Sequence, residues 1–153
     1  MNKFKKSLLW LRRDLRLYDN TALHYALKES NSVHCTFIFD SNILDILKNK
    51  KDQRVEFIWE SLLQIKSQLN KLGSELIVKY GDPGIIIPEL IEEYGCDALY
   101  MNKDYEAYAK KRDNEIINKL KIKSFQYKDQ VLYEESEILT QSGTPYSVFT
   151  PYK

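Results

Sequence analysis

Trp10-Leu11-Arg12-Arg13-Asp14-Leu15-Arg16-Leu17-Tyr18-Asp19-Asn20-Thr21-Ala22-Leu23 carries an apolar strand, Ser7 to Leu11, into a sharp change of character. Three arginines and an aspartate follow within five residues, and a helix then starts at Asp19-Asn20. Asp19 is suited to accept the orphan N–H groups of the first turn, while Ala22, Leu23, Ala26 and Leu27 supply an apolar stripe at helical spacing. A first strand opening into a polar loop at its carboxyl end is where open α/β sheets place ligands. The plainer reading of the same charges is that they cap the sheet edge through salt bridges.

Outward from this segment, strand and helix patterns alternate. Val33 to Asp40 is a nearly continuous β-prone apolar run, the pattern of a central parallel strand buried on both faces. From Asp52 to Leu72, Val55, Ile58, Leu62, Ile65, Leu69 and Leu72 recur at spacings of three and four, with Gly73 placed as the C′ residue. Glu75 to Tyr80 reads as a third strand. Asp82-Pro83 reads as a turn and cap before a helix near Ile85 to Tyr94, whose start Pro88 obscures. Ala98 to Asn102 is a fourth strand, Tyr105 to Lys121 a fourth helix, and Ser124 to Tyr127 a short fifth strand. The remainder, through Ser142-Gly143-Thr144-Pro145 to Lys153, lacks helical periodicity and reads as irregular structure wrapping the sheet edge. Crossovers long enough for helices imply a parallel sheet. The predicted fold is therefore α/β, a Rossmann-like doubly wound five-stranded parallel sheet with helices on both faces.

Composition narrows the function. A chain of 153 residues with 43% hydrophobic content can bury one core, so one domain is expected. Its 23 basic and 22 acidic residues leave a net charge of +1, which argues against strong nucleic-acid binding by this domain alone. Cys35 and Cys96 form no CxxC, and His24 and His34 are not spaced as metal ligands. Free thiols in a reducing cytosol are expected, with no disulfide framework and no metal site. His34 reads as a strand residue with a satisfied ring nitrogen, and Trp10 and Trp59 read as core. No GxGxxG follows the first strand, and no GxxxxGK[ST] occurs. Neither a signal h-region nor a membrane span is found, so a cytoplasmic location is the expectation.

The opening run resembles the start of the DNA photolyase and cryptochrome family, and two further blocks strengthen the resemblance. Asn102-Lys103-Asp104-Tyr105-Glu106-Ala107-Tyr108 is similar to the family's asparagine–aspartate–tyrosine–glutamate–proline–tyrosine signature, with Ala107 where proline is usual and Arg112-Asp113 matching its ending. Asp129-Gln130-Val131-Leu132 and the run from Ser142 to Lys153 are similar to its closing segment. The chain is identified as the amino-terminal α/β antenna domain of that family, most like its class I deoxyribodipyrimidine photolyases.

The resemblance implies a second, helical domain, absent from this chain. It would hold FAD, bind damaged DNA and use blue light to split cyclobutane pyrimidine dimers. No catalytic residue then falls within residues 1–153, and the chain alone is expected to be inactive in repair. What the resemblance assigns here is a light-harvesting chromophore. Members that bind methenyltetrahydrofolate carry an Asn-Glu pair where this chain has Tyr108-Ala109, so 8-hydroxy-5-deazaflavin or FMN is the expected antenna. Carried over by position, the chromophore-binding candidates are Ile38, Phe39 and Asp40, then Arg54, then Asp104, Glu106 and Tyr108. Aliphatic and aromatic walls suit a planar ring, a cation suits a phosphate or ring oxygen, and carboxylates suit ribityl hydroxyls. The alternatives are a cryptochrome-type blue-light receptor domain and, more weakly, a stand-alone small-ligand-binding α/β protein. An exposed interdomain face, with Tyr146 to Tyr152 contributing, would favour self-association.

Overall fold

β1 (Phe4–Leu11) shows how the sheet is built. Its pleat sends Leu9 and Leu11 to one face and Leu8 and Trp10 to the other, and all four are buried. The computed structural model describes residues 2–49, 51–134 and 137–144. Around β1 run α1 (Thr21–Glu29), β2 (Ser30–Asp40), the short α2 (Ser41–Leu44), α3 (Gln53–Lys71), β3 (Leu76–Gly81), α4 (Pro83–Tyr94), β4 (Ala98–Asn102), α5 (Ala107–Lys119) and β5 (Lys123–Tyr127). The five strands form one all-parallel sheet in the order β3-β2-β1-β4-β5. One apolar layer joins α1 and α3 to the sheet through Ala22, Leu23, Leu62, Ile65 and Leu69. The other joins α4 and α5 through Ile87, Leu90 and Ile116. The predicted doubly wound fold is the observed one.

Strand order reverses between β1 and β4. The helices that follow these two strands, α1 and α5, pack on opposite faces of the sheet, which makes this its switch point, the usual ligand position in such sheets.

Several local expectations change. α1 is capped by Asn20, whose side chain accepts from the Leu23 N–H, and not by Asp19, which takes a left-handed conformation at φ 48°. Both residue types cap well, so the sequence alone could not separate them. α4 starts at Pro83 behind the Asp82 cap and carries Pro88 in its second turn, earlier than the Ile85 start expected. α3 ends as predicted: Gly73 has φ 75°, and the Gly73 and Ser74 N–H groups donate to Asn70 and Leu69 carbonyls. Trp10 is core, but Trp59 is half exposed, because the buried stripe of α3 is Leu62, Ile65 and Leu69. His34 is not satisfied as expected. Its buried Nε2 has no partner among the described residues, its ring lies 4.7 Å from that of Tyr94, and burial lowers its pKa.

The chain after β5 returns to the opening loop. Asp129 accepts from the Thr21 N–H and hydroxyl at 3.0 Å and from Arg16 at 2.7 Å. Burial pushes this carboxyl up, but the bonds from Thr21 and Arg16 outweigh it and hold its pKa below the usual value. A depressed folded pKa stabilises above the unfolded value of about 3.9 and is lost as pH falls through the folded value. Asp129→Ala is therefore expected to cost about 2 kcal/mol near neutral pH. The difference from wild type should shrink in acid, as read by urea denaturation at a series of pH values. The segment Tyr146 to Tyr152, expected to line an interdomain face, lies outside the described residues.

Candidate functional site

At the carboxyl ends of β1, β2 and β4, charged side chains are tied into one buried chain of contacts. Asp40, the last residue of β2, caps α2 through the Asn42 N–H at 3.0 Å. Its Oδ2 also accepts from the Tyr108 hydroxyl at 2.9 Å and from Arg112 Nη1 at 3.1 Å. Tyr108 and Arg112 lie four residues apart on α5 and so share one helix face. Arg112 then donates to the neighbouring Asp113 at 2.9 and 3.1 Å. Asp113 also accepts from Arg12, which reaches on to the Asn102 carbonyl. All of these groups except Tyr108 are nearly buried.

A second buried network fixes the loop after β1. Asp14 accepts from the Arg12 N–H at 2.8 Å, from Asn20 at 3.0 Å and from Asn102 at 2.7 Å. Asn102 Oδ1 in turn accepts from the Ala22 N–H at 2.9 Å. Residues from the two sides of the switch point are thereby locked together, and both polar asparagines are satisfied in the interior. The salt-bridge reading of the opening loop thus holds for Arg12, Arg13 and Arg16, each of which has a carboxylate partner.

The predicted site residues divide into groups. Asp40 and Tyr108 are brought into direct contact. Asp104 and Glu106 are brought together on Arg13, at 3.1 and 2.6 Å, on the open side of the loop after β4. Ile38 and Phe39 point to opposite faces of the sheet, Ile38 into the α4–α5 layer and Phe39 toward Phe37 and Trp59 under α3. Arg54 is exposed and makes a two-pronged pair with Asp52, its own helix's cap, at 2.9 and 2.6 Å. That pairing holds the Asp52 carboxyl down at about 2. Arg112 is the functional candidate that the residue reading missed. Its signal was the spacing of four from Tyr108.

Two clefts adjoin the cluster. One of about 350 Å³ is lined by Asn42, Asp82, Ile85, Tyr108, Arg112 and Glu115, among others. A smaller one of about 210 Å³ lies beside Asp104, Asp113 and Gln126. Burial and the bond to Asp40 raise the Tyr108 hydroxyl to about 12. It therefore stays a neutral donor across the physiological range. This arrangement offers an aromatic face, a fixed cation and carboxylate acceptors, which suits a planar ring with polar edges better than proton transfer or nucleophilic attack.

Residues 7–153 match the family model described as DNA photolyase. The chain belongs to the DNA photolyase family. It is 36% identical over 148 residues to a deoxyribodipyrimidine photo-lyase of Synechococcus, covering 95% of this chain and 30% of that protein. A class III photolyase from Agrobacterium tumefaciens superposes with a TM-score of 0.82 at 30% identity, covering 99% of this chain and 31% of that one. A photolyase from Sulfolobus tokodaii, described with two FAD molecules and a novel light-harvesting cofactor, gives a TM-score of 0.78 at 33% identity, covering 88% and 32%. The chain thus spans about a third of the length of the photolyases it matches. Among the described residues, no helix is long and apolar enough to cross a membrane.

Proposed function

We propose that this chain is the light-harvesting domain of a cytoplasmic deoxyribodipyrimidine photo-lyase. It holds an antenna chromophore at the carboxyl ends of β1, β2 and β4. Repair of pyrimidine dimers in damaged DNA, driven by reduced FAD, belongs to a helical domain in the part of the photolyases that this chain does not match. The observation that carries this reading is the joining of Asp40, Tyr108 and Arg112 beside a cleft between α2, the start of α4 and α5, within a photolyase-family domain.

A flavin-like tricycle, 8-hydroxy-5-deazaflavin or FMN, is the class of chromophore proposed. Tyr108 supplies a ring face, Arg112 a cation, and Asp40, Asp104 and Glu106 acceptors for hydroxyls. The description of FAD in the Sulfolobus tokodaii photolyase supports a flavin over a folate. So does the residue pair Tyr108-Ala109: Ala109 is buried, so an acidic side chain there would face a desolvation cost. Arg54, paired with Asp52 at the start of α3, lines neither cleft and is left outside the proposed site.

The domain assignment is tested by illuminating the purified chain, with and without FMN, in the presence of DNA containing pyrimidine dimers. Chromophore uptake without repair is the expected result. Light-dependent dimer splitting by these 153 residues alone would overturn the assignment.

A further inference from the structure

Trp10 is the largest of the fully buried side chains, and its surroundings are unusual for a core indole. The guanidinium carbon of Arg12 lies 4.9 Å from the ring centroid and that of Arg112 lies 4.8 Å away. The indole N–H finds no acceptor among the described residues. Arg112 also lies 5.5 Å from the Tyr108 ring, so a single guanidinium separates Trp10 from the aromatic wall of the larger cleft. Asp113 and Asp40 bond the guanidinium nitrogens, while the two guanidinium carbons are the charged centres set over the indole ring.

A buried tryptophan this near a light-absorbing ring ordinarily drains its excitation. One electron passes from the indole to the excited ring, then returns, and the energy leaves as heat. Here the first transfer would create an indole radical cation beside two guanidiniums in weakly screening surroundings. Its usual relief, release of the N–H proton, has no receiving atom among the described residues.

We propose that Arg12 and Arg112 guard Trp10 against one-electron oxidation. A chromophore excited in the adjoining cleft then keeps its energy for transfer. The benefit to a chromophore rests on the proposed antenna site; the guard is a property of the protein and can be measured without it.

Trp59→Phe leaves Trp10 as the sole tryptophan, since the chain has 2. Flash photolysis of this variant with FMN as the photo-oxidant, bound or merely colliding, reports the yield of indolyl radical through its absorption band. The yield is expected to be low. Removing one guanidinium by Arg112→Gln should raise it about tenfold, since one such charge at this distance shifts the energy by at least a factor of ten in rate. Arg12→Gln should act in the same sense, and Arg112→Lys, which keeps the charge, should stay low. Circular dichroism verifies the fold of each variant, and Arg12→Gln decides if Arg112→Gln does not fold. An unchanged yield in the folded Gln variant, or an equal rise in Arg112→Lys, overturns the guard. An FMN fluorescence titration of the Trp59→Phe protein, in which Arg112 and Tyr108 are intact, separates the two ideas. A rise without FMN binding removes the antenna site and keeps the guard, whereas binding without a rise does the reverse.

Discussion

Asp113→Ala is expected to destabilise the domain by about 3–5 kcal/mol, the cost of stripping the partner from a buried ion pair. Asp113 is 1% exposed and serves two arginines that are themselves nearly buried. Without it, Arg12 keeps the Asn102 carbonyl and Arg112 keeps Asp40, but two cations share one remaining carboxylate beside Trp10. A domain of this size has about 5–15 kcal/mol in total, so a large share of its stability would go. The shift in the urea midpoint at unchanged slope measures it. A loss below about 1 kcal/mol would mean that the arginines find solvent instead, and that the buried chain of contacts is not holding the switch point. Asp113→Asn keeps the shape and one acceptor and should fall between.

The second large effect concerns ligand binding. Tyr108→Ala removes the ring that walls the cleft together with the hydroxyl that donates to Asp40. Affinity for FMN or 8-hydroxy-5-deazaflavin is expected to fall by about one to two decades, equivalent to about 1.5–3 kcal/mol. Tyr108→Phe keeps the wall and should lose less. Arg54→Ala supplies the comparison: with its guanidinium held by Asp52, it should change affinity less than Tyr108→Ala does. Fluorescence quenching of the added chromophore reads all three. Equal affinity in wild type and Tyr108→Ala would place the ring elsewhere on the domain.

Much of the fold was legible because buried parallel strands are written as continuous apolar runs. β1, β2 and β4 end at Leu11, Asp40 and Asn102, where those runs meet the first charged or amide side chain. α3 was legible from its three-and-four spacing and its Gly73 stop. α2 was not, because four residues show no period. The α1 cap slipped by one residue because Asp19 and Asn20 are chemically equivalent caps, and only the backbone conformation of Asp19 decides between them.

The candidate site was legible in part. Asp40 and Tyr108 could be named by position, but not their bond to each other, since a contact across 68 residues is set by the strand order. Arg112 looked like one half of a motif ending until α5 turned it toward Asp40. Trp59 looked like core because Ile58 and Leu62 beside it follow the helical stripe, yet its own position faces outward. Ile38 and Phe39 were both named as candidates for the walls of one pocket, whereas the pleat assigns adjacent strand residues to opposite faces.

The central claim is tested most directly by titrating the purified chain, in parallel, with FMN, 8-hydroxy-5-deazaflavin and methenyltetrahydrofolate, reading chromophore fluorescence. Saturable binding of a tricyclic flavin-like ring, weakened by Tyr108→Ala, with folate binding at least tenfold weaker, is the predicted result. Tight folate binding, or no saturable binding of any of the three by the folded chain, would contradict it.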